Sequence, residues 1–494
     1  MCGIIAIINK NNNQYGDIEP ILEKISHRGV FQNEIYKFEK GVFGVNRLPI
    51  VDEKNGTQPL FNQDRSIFAV QNGEIFNYLE LRASLVKKGY IFKSYSDTEV
   101  LVHLWKEYGK DMVKHLDTEM FAFIIYDKNT DQLFIARDRF GIKPLFYSET
   151  ENHILFASEM KSLVFLDNIE EVKEFPVSSY YLNGKFTKYY DVLKNNNEYI
   201  GNSEEVLRLL ELAVKKRVQT NLPIAVFLSG GVDSSLVMHF TTKHHKKVTA
   251  LILGNEQSSD RKVAINLCEE RGWDYKVISS EVNYEKELEG IIYHLENDNP
   301  NIVRHSFANN IISAFAKELG YKIVLTGEGA DELFGGYNQF IDIDEDKINK
   351  ACKLLLNSMS LGNLARVDRL AMRHTIEVRS PFFDNELVDY ALSISGSSKK
   401  GIFENSLYTK YILRKAALKV LPKEISFRQK IPFGNGAGMD IGYNYNNKDG
   451  NLSKIARERN LTEQEMYTKI YNSFGYDKLK KKELVVKDNL TENI

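Results

Sequence analysis

The chain has 494 residues, with 65 Lys and Arg against 67 Asp and Glu for a net charge of −2, and 43% of its residues are hydrophobic. That length holds two or three domains with sizeable cores, the composition excludes extensive disorder, and the balanced charge argues against nucleic acid as a partner. Cys2, Cys268 and Cys352 are too far apart for a disulfide framework or a metal-ligand spacing, no apolar run approaches the ~20 residues of a membrane helix, and the first residues lack the leader of a signal peptide, so the cytoplasm is the expected compartment.

The chain opens on Met1-Cys-Gly-Ile-Ile-Ala-Ile-Ile8, an apolar run that predicts a buried strand. Ile18 to Ile25 has helical spacing. Ile67–Val70, Phe121–Tyr126 and Leu133–Ala136 read as strands. Leu79–Lys88 and Asp97–Tyr108 read as helices, with Asp97 expected as an N-cap. Tyr180 to Asp191, with an Asn-Gly turn, predicts a closing hairpin. The polar stretch from Lys194 to Asn202 is expected to link two domains, 1–193 and 203–476, with 477–494 as a charged, frayed tail.

Cys2 carries chemistry if Met1 is removed, because its thiol then lies beside its own α-amino group. That amine titrates near pH ~7.7–8 and can serve as general base without a histidine. Three further segments are Asn46-Arg-Leu-Pro-Ile-Val-Asp52, Asn72-Gly-Glu-Ile-Phe-Asn77 and Ser96-Asp-Thr-Glu99. Together with Cys2 they resemble the glutaminase half of the class II glutamine amidotransferases. The resemblance implies an αββα N-terminal-nucleophile hydrolase sandwich. It implies that Arg47 grips the α-carboxylate of glutamine and that Asp97 and Glu74 hold its ammonium and amide. The Asn72 side chain and the Gly73 N–H would form the oxyanion hole. Ala136-Arg-Asp-Arg-Phe-Gly-Ile-Lys-Pro-Leu-Phe-Tyr147 and Phe156-Ala-Ser-Glu-Met-Lys-Ser162 match as structural segments. His27-Arg28-Gly29 matches too, but Val30 and Phe31 replace the family's Pro-Asp.

In the second half Ser203 is expected to cap a helix running to Val218. Ile224–Leu228, Val248–Leu253, Tyr275–Ser279 and Lys322–Leu325 read as strands between helical segments, including Ser235–Phe240 and Arg261–Glu270. This alternation predicts an α/β domain with a doubly wound parallel sheet and ligands at the strands' carboxyl ends. Leu228-Ser-Gly-Gly-Val-Asp-Ser-Ser235 lies at such an end. Gly230 and Gly231 let the backbone approach an anion, and Ser229, Ser234 and Ser235 add hydroxyls. Asp233 would be repelled by bare phosphate and is read as a ligand of bridging Mg²⁺. The loop lacks the Gly-Lys-Ser/Thr of a Walker loop and resembles the pyrophosphate loop of the ATP pyrophosphatases.

Thr326-Gly-Glu-Gly-Ala-Asp-Glu-Leu-Phe-Gly-Gly-Tyr337 follows the next strand and matches the second signature of the asparagine synthetases. That resemblance implies that Asp331 shares Mg²⁺ with Asp233 and that Leu228, Thr326 and Gly327 lie against ATP. Glu328 would position and deprotonate the ammonia nucleophile, and Lys430 would stabilise charge on the phosphates. Arg304, in a segment that departs from the family's Ile-Arg-x-Ser-Thr-Pro, would anchor the acceptor, with His305 and Phe307 altering its pocket. Arg379 is either a phosphate contact or half of a buried ion pair. Phe433–Gly438 is expected as a mobile lid. The implied reaction transfers ammonia from glutamine to an acyl-adenylate, with ATP and Mg²⁺, and L-aspartate as the leading acceptor. Another carboxylate is the alternative, and a glutaminase-like protein with a silent second half is a third reading. The partners are these small molecules, with no membrane, and family resemblance suggests a homodimer.

Overall fold

The computed structural model describes residues 1–11, 15–117, 120–166, 168–194, 198–431, 433–439, 450–480 and 490. Residues 195–197 of the expected linker, and the expected tail after residue 480 apart from Leu490, lie outside the described residues. The chain divides into two units. One comprises Met1–Asp191 with Met372–Thr375 and Tyr471–Lys482; the other, in its described residues, comprises Val192–Ala371, Ile376–Ile470 and Leu490. No helix among the described residues is long and apolar enough to cross a membrane.

The first unit holds two six-stranded antiparallel sheets. In one, Cys2–Asn9 (β1) lies between His153–Ala157 and Gly41–Arg47 (β2), pairing Cys2 with Arg47. In the other, Ile67–Gly73 (β3) pairs with Phe121–Asp127, setting Asn72 opposite Ala122. Strand side chains alternate between faces. Cys2, Ile4 and Ala6 therefore face the space between the sheets, where they join Phe68, Val70, Ala122 and Ile124 in one core. The opposite face of the second sheet, with Ile67, Ala69, Phe123 and Ile125, packs on Val100, Leu101, Leu104 and Trp105 of the helix Asp97–Tyr108. The short helix Glu19–Glu23 covers the outside of the first sheet, where Ile18 and Leu22 come so close to Gly44 that a side chain there would meet them at 3.0 and 3.3 Å. The layers run helix, sheet, sheet, helix, and each fully buried Phe or Ile in them contributes about 1.5–3 kcal/mol.

The second unit is built on a five-stranded sheet whose pairings are all parallel. Its order is Tyr275–Ile278, Val248–Leu253, Ile224–Phe227 (β4), Ile323–Leu325 (β5), Glu377–Arg379. The two glycine-rich acidic segments follow β4 and β5, which are neighbours at the centre of the sheet. From residue 348 onward helices predominate.

Three boundaries differ from expectation. The N-cap of Asp97–Tyr108 is Ser96, which accepts the Thr98 N–H, and Asp97 is the first helical residue. Asn202, not Ser203, caps Ser203–Arg217 by accepting the Glu204 N–H at 2.8 Å. In both places adjacent residues are equally good caps, so sequence leaves a one-residue ambiguity. The helix after the glycine-rich loop begins at Val232, so Asp233, Ser234 and Ser235 belong to its first turn.

Candidate functional site

In the first unit, strand alternation that puts Phe68 and Val70 inside also puts Asn72 inside, against Cys2. In the orientation that satisfies both ends of its amide, Asn72 donates to the Cys2 carbonyl at 2.9 Å and accepts from Arg28 at 3.3 Å. Gly73 follows at φ +144, and a Cβ there would strike the Met120 carbonyl oxygen, so only glycine fits. The intervening side chain, Gln71, points to the helix layer and donates to Asp97 Oδ2 at 3.2 Å. Asp97 Oδ2 also accepts the Ile75 N–H at 3.0 Å, fixing the turn that carries buried Glu74.

Burial raises the Cys2 thiol above its ordinary value, while the amino terminus and Arg47 pull it back. The Arg47 guanidinium donates to the carbonyls of Val51, Asp52 and Glu53 at 2.7–3.1 Å. Carbonyls hold its plane without neutralising its charge, which suits it to a ligand carboxylate. Met1 is buried, and its amino group donates to the Leu48 carbonyl at 3.1 Å.

The matched His27-Arg28 and Phe156–Ser162 segments meet beneath this site. Glu159, fully buried, accepts from Arg28 at 2.6 Å, from Lys161, and faces His27 Nε2 at 3.1 Å. Burial opposes its ionisation, but Lys161, His27 and Arg28 outweigh burial and hold it well below the carboxylate range. Arg28 Nε then donates to the Cys2 carbonyl at 3.2 Å, linking this cluster to the β1 end. In the other matched segment Asp138 caps its own turn, accepting the N–H groups of Phe140, Ile142 and Lys143 at 2.9–3.1 Å.

In the second unit a cavity of about 110 Å³ opens at the carboxyl ends of β4 and β5. Ser229, Asp233, Ser234, Thr326, Gly327, Glu328, Asp331 and Lys430 all line it. The Ser229 and Ser234 hydroxyls lie 3.1 Å apart, and Gly230 takes φ +70. Leu228, buried, extends β4 by donating to the Leu251 carbonyl at 3.0 Å. Gly327 passes so near Asp233 that a Cβ would meet the Asp233 Cβ at 2.8 Å. Ser380 fixes the backbone of Glu328 by donating to its carbonyl at 2.7 Å.

Asp233 and Asp331 are joined by a residue that sequence reasoning missed. The Lys410 ammonium lies 2.6 Å from Asp233 Oδ2 and 2.6 Å from Asp331 Oδ1. Lys430 binds the other oxygen of Asp331. Burial pushes Asp331 up, but Lys410 and Lys430 outweigh it and hold the carboxyl well below its usual range. Burial likewise lowers Lys430, and Asp331 and Asp233 more than reverse that. Both lysines are set by Arg414, which donates to the carbonyls of Thr409 and Arg428 at 2.8 Å each. Magnesium fits the two carboxylates, because Asp233 Oδ1 is buried with no hydrogen-bond partner among the described residues. No group of three or more His, Cys, Asp or Glu able to hold a metal occurs among those residues. Phosphate oxygens would have to complete the shell.

Several expected residues sit elsewhere. Arg304 does not line the cavity; its Nε donates to Glu463 at 2.8 Å, and Glu463 also accepts from Ser453 and Tyr467. Phe307 is fully buried against Tyr284, with ring centroids 4.9 Å apart, so neither it nor His305 shapes the cavity wall. Arg366 and Asn309 line it instead, and Arg366 reaches Glu328 at 3.2 Å. Both lie on helices with no local motif to mark them. Arg379 is half of a buried ion pair with Glu377 at 2.6 Å. The expected lid forms a helical turn, Phe433–Gly436, tied down by Ser258, which donates to the Gly436 carbonyl at 2.8 Å.

Residues 1–200 match the Glutamine amidotransferase domain family, and residues 205–345 and 341–473 match the Asparagine synthase family. Over 468 residues the chain is 32% identical to glutamine-hydrolyzing asparagine synthetase 1 of Arabidopsis thaliana, covering 89% of this chain and 78% of that one. Over 482 residues it is 32% identical to a probable glutamine-hydrolyzing asparagine synthetase of Dictyostelium discoideum, covering 89% and 85%. A solved glutamine phosphoribosylpyrophosphate amidotransferase from B. subtilis is a remoter likeness, at 19% identity and TM-score 0.31 over 56% of this chain and 65% of that one.

Proposed function

Because this chain belongs to the glutamine-hydrolysing asparagine synthetase family, we propose that it converts L-aspartate, glutamine and ATP to L-asparagine, glutamate, AMP and diphosphate. The observation that carries the reading is the wall of the second unit's cavity, where Asp233, Glu328, Asp331 and Lys430 converge from separate segments beside the Ser229–Ser235 loop.

In the first unit, removal of Met1 would free the Cys2 α-amino group to take the thiol proton. The thiolate attacks the glutamine amide carbon while Arg47 holds the α-carboxylate. Negative charge developing on the amide oxygen is met by Asn72 and the Gly73 N–H. Ammonia leaves, and water releases glutamate from Cys2. In the second unit the acceptor carboxylate attacks the α-phosphorus of ATP and diphosphate departs. Lys430, and Lys410 beside it, offset the charge gathered on the phosphates. A magnesium ion on Asp233 and Asp331 would supply further charge neutralisation there. Glu328 takes a proton from ammonia as the nitrogen attacks the acyl carbon, and AMP leaves.

One observation favours a second reading, amidation of a different carboxylate: Arg304, the family-like anchor, is paired with Glu463 and absent from the cavity wall. The three cysteines are all free and buried, which supports a reducing, cytoplasmic setting. A homodimer is part of the same reading, to be read from sedimentation mass. The test is diphosphate release from Mg·ATP with glutamine or with ammonia, over a panel of carboxylates, in the wild type and in Cys2→Ala. The variant is expected to lose glutamine-dependent asparagine formation and keep the ammonia-dependent reaction. Loss of both, or no aspartate-dependent diphosphate in the wild type, counts against the proposal.

A further inference from the structure

In the first unit, the loop after Arg47 carries a side chain that the reaction above leaves unused. Three consecutive carbonyls, those of Val51, Asp52 and Glu53, converge on the Arg47 guanidinium. An extended chain cannot turn three successive carbonyls onto one cation, so the backbone has to curl there. Asp52 supplies the curl at φ +48, in the left-handed region that Asp and Asn tolerate better than most side chains. The Gly56 N–H closes the loop on the Asp52 carbonyl at 3.0 Å. A Cβ at Gly56 would lie 2.4 Å from Arg47 Nη2, so the loop wraps the guanidinium closely.

The Asp52 carboxylate serves two backbone N–H groups. Oδ1 accepts from Asn55 at 3.1 Å, which braces the curl from within. Oδ2 accepts from Tyr95 at 2.7 Å, 43 residues along the chain. The segment that receives it is firmly held. Glu99 accepts the N–H groups of Lys93 and Ser94 at 2.7 Å each. Arg82 donates to the Ser94 carbonyl and lies over the Tyr95 ring, 4.6 Å from its centroid. Ser96 then caps the helix that opens on Asp97. One side chain therefore joins the loop around Arg47 to the segment that leads into Asp97. Burial lowers the Arg47 guanidinium, and the charges of Cys2, Asp97 and Asp52 oppose that, as befits groups in one cluster.

We infer that Asp52 is a positioning residue for glutamine, and that its bond to the Tyr95 N–H sets the spacing between Arg47 and Asp97. An α-amino acid carries its carboxylate and ammonium at a fixed separation. A cation and an anion recognise both at once only where their own separation is fixed before the ligand arrives. With Asp52 in place, Arg47 meets the α-carboxylate while Asp97 meets the α-ammonium. Without it, the loop around Arg47 loses its tie to the helix that carries Asp97. This rests on the glutaminase reading above and deepens it by naming what holds the head-group site in register.

The test compares two alkylators of Cys2 in the full chain. The diazoketone analogue of L-glutamine keeps the α-carboxylate and α-ammonium, and iodoacetamide has neither. D52A and D52G should each slow inactivation by a low concentration of the analogue about tenfold, the cost of one charge-assisted hydrogen bond. Alkylation by iodoacetamide should change less than about twofold, since it does not draw on the head-group site. Glycine relieves the left-handed backbone and alanine does not, so agreement between the two variants assigns the effect to the carboxylate. D52N keeps one acceptor oxygen and a tolerated φ, and should slow the analogue by about threefold or less. KM for glutamine should rise in step with the analogue's loss while kcat holds within about twofold, the mark of lost ground-state binding. An analogue rate unchanged in D52G, both alkylators slowed alike in D52A, or a fall in kcat at constant KM would overturn the inference. So would a wild type that the analogue does not inactivate. Inactivation that depends on Asp52, without hydrolysis of glutamine, would sustain the positioning role and sink the glutaminase reading.

Discussion

The amide nitrogen of Gln58 lies 3.6 Å from the sulfur of Cys2, and its orientation is fixed. Gln58 Oε1 accepts the Gln71 N–H at 2.6 Å, while Nε2 donates to the Gln71 carbonyl and to Thr98 Oγ1, each at 3.3 Å. Exchanging the two ends would set like against like, so the N–H face is the one turned to the thiol. A donor there favours the thiolate that burial disfavours. Gln58→Glu replaces it with a carboxylate and should push the thiol higher still. Glutamine-dependent kcat/KM is expected to fall about 10- to 100-fold near pH 7, while ammonia-dependent synthesis holds. The rate of Cys2 alkylation against pH is the direct check, and a profile matching the wild type would leave Gln58 a packing residue only.

Much of this arrangement is readable along the chain, and the unreadable part has a common cause. Cys2 and the Ser229–Ser235 loop announce themselves because a strand, glycines and reactive groups are contiguous there. Period-two alternation from Phe68 even carries Asn72 to the correct face. Lys410, Arg366 and Asn309 are different. Each is an ordinary polar residue in or beside a helix, and only the fold brings it to the cavity or its carboxylates. Arg28 and Glu159 lie in segments that could be matched, yet nothing local says that residues 131 apart are partners.

That partnership should be costly to break. Glu159 faces Arg28, Lys161 and His27 in this buried cluster. Glu159→Gln removes the negative charge that Arg28 and Lys161 face there. A cost of about 3–5 kcal/mol is expected, as for other broken buried pairs. It should appear in thermal unfolding, together with a loss of glutaminase activity, because Arg28 also holds the Cys2 carbonyl. A variant of unchanged melting temperature would mean that water or a neighbouring group compensates.

Lys410 joins Asp233 and Asp331 as a shared counter-ion, so its removal tests what else those carboxylates can hold. Lys410→Met is expected to destabilise the protein by about 3–5 kcal/mol in the absence of divalent cations. With Lys430 then the one lysine described against the pair, on Asp331, the two carboxylates should recruit magnesium. Added Mg²⁺ without nucleotide should raise the melting temperature of the variant more than that of the wild type. Equal shifts in both proteins would show that the carboxylates do not bind the ion. Diphosphate release should be lost in the variant whichever way the melting experiment turns out.

Glu332 gives the clearest pH signature. Burial first, then the charges of Glu328 and Asp331, push its carboxyl from an ordinary 4.5 up to about 7. The fold therefore prefers the protonated form. Its contribution to stability is fully present below pH 4.5 and is lost as pH rises toward 7. Glu332 Oε1 accepts from Tyr337 and, at 3.0 Å, from Asn363. Glu332→Gln keeps that oxygen and removes the charge. The variant should match the wild type near pH 4.5 and become the more stable of the two above pH 7, by on the order of 3 kcal/mol. Melting temperatures of both proteins across pH 5 to 8 test this. Parallel curves would mean that the carboxyl is already ionised in the fold at pH 5, with Tyr337 and Asn363 sufficient to hold its charge.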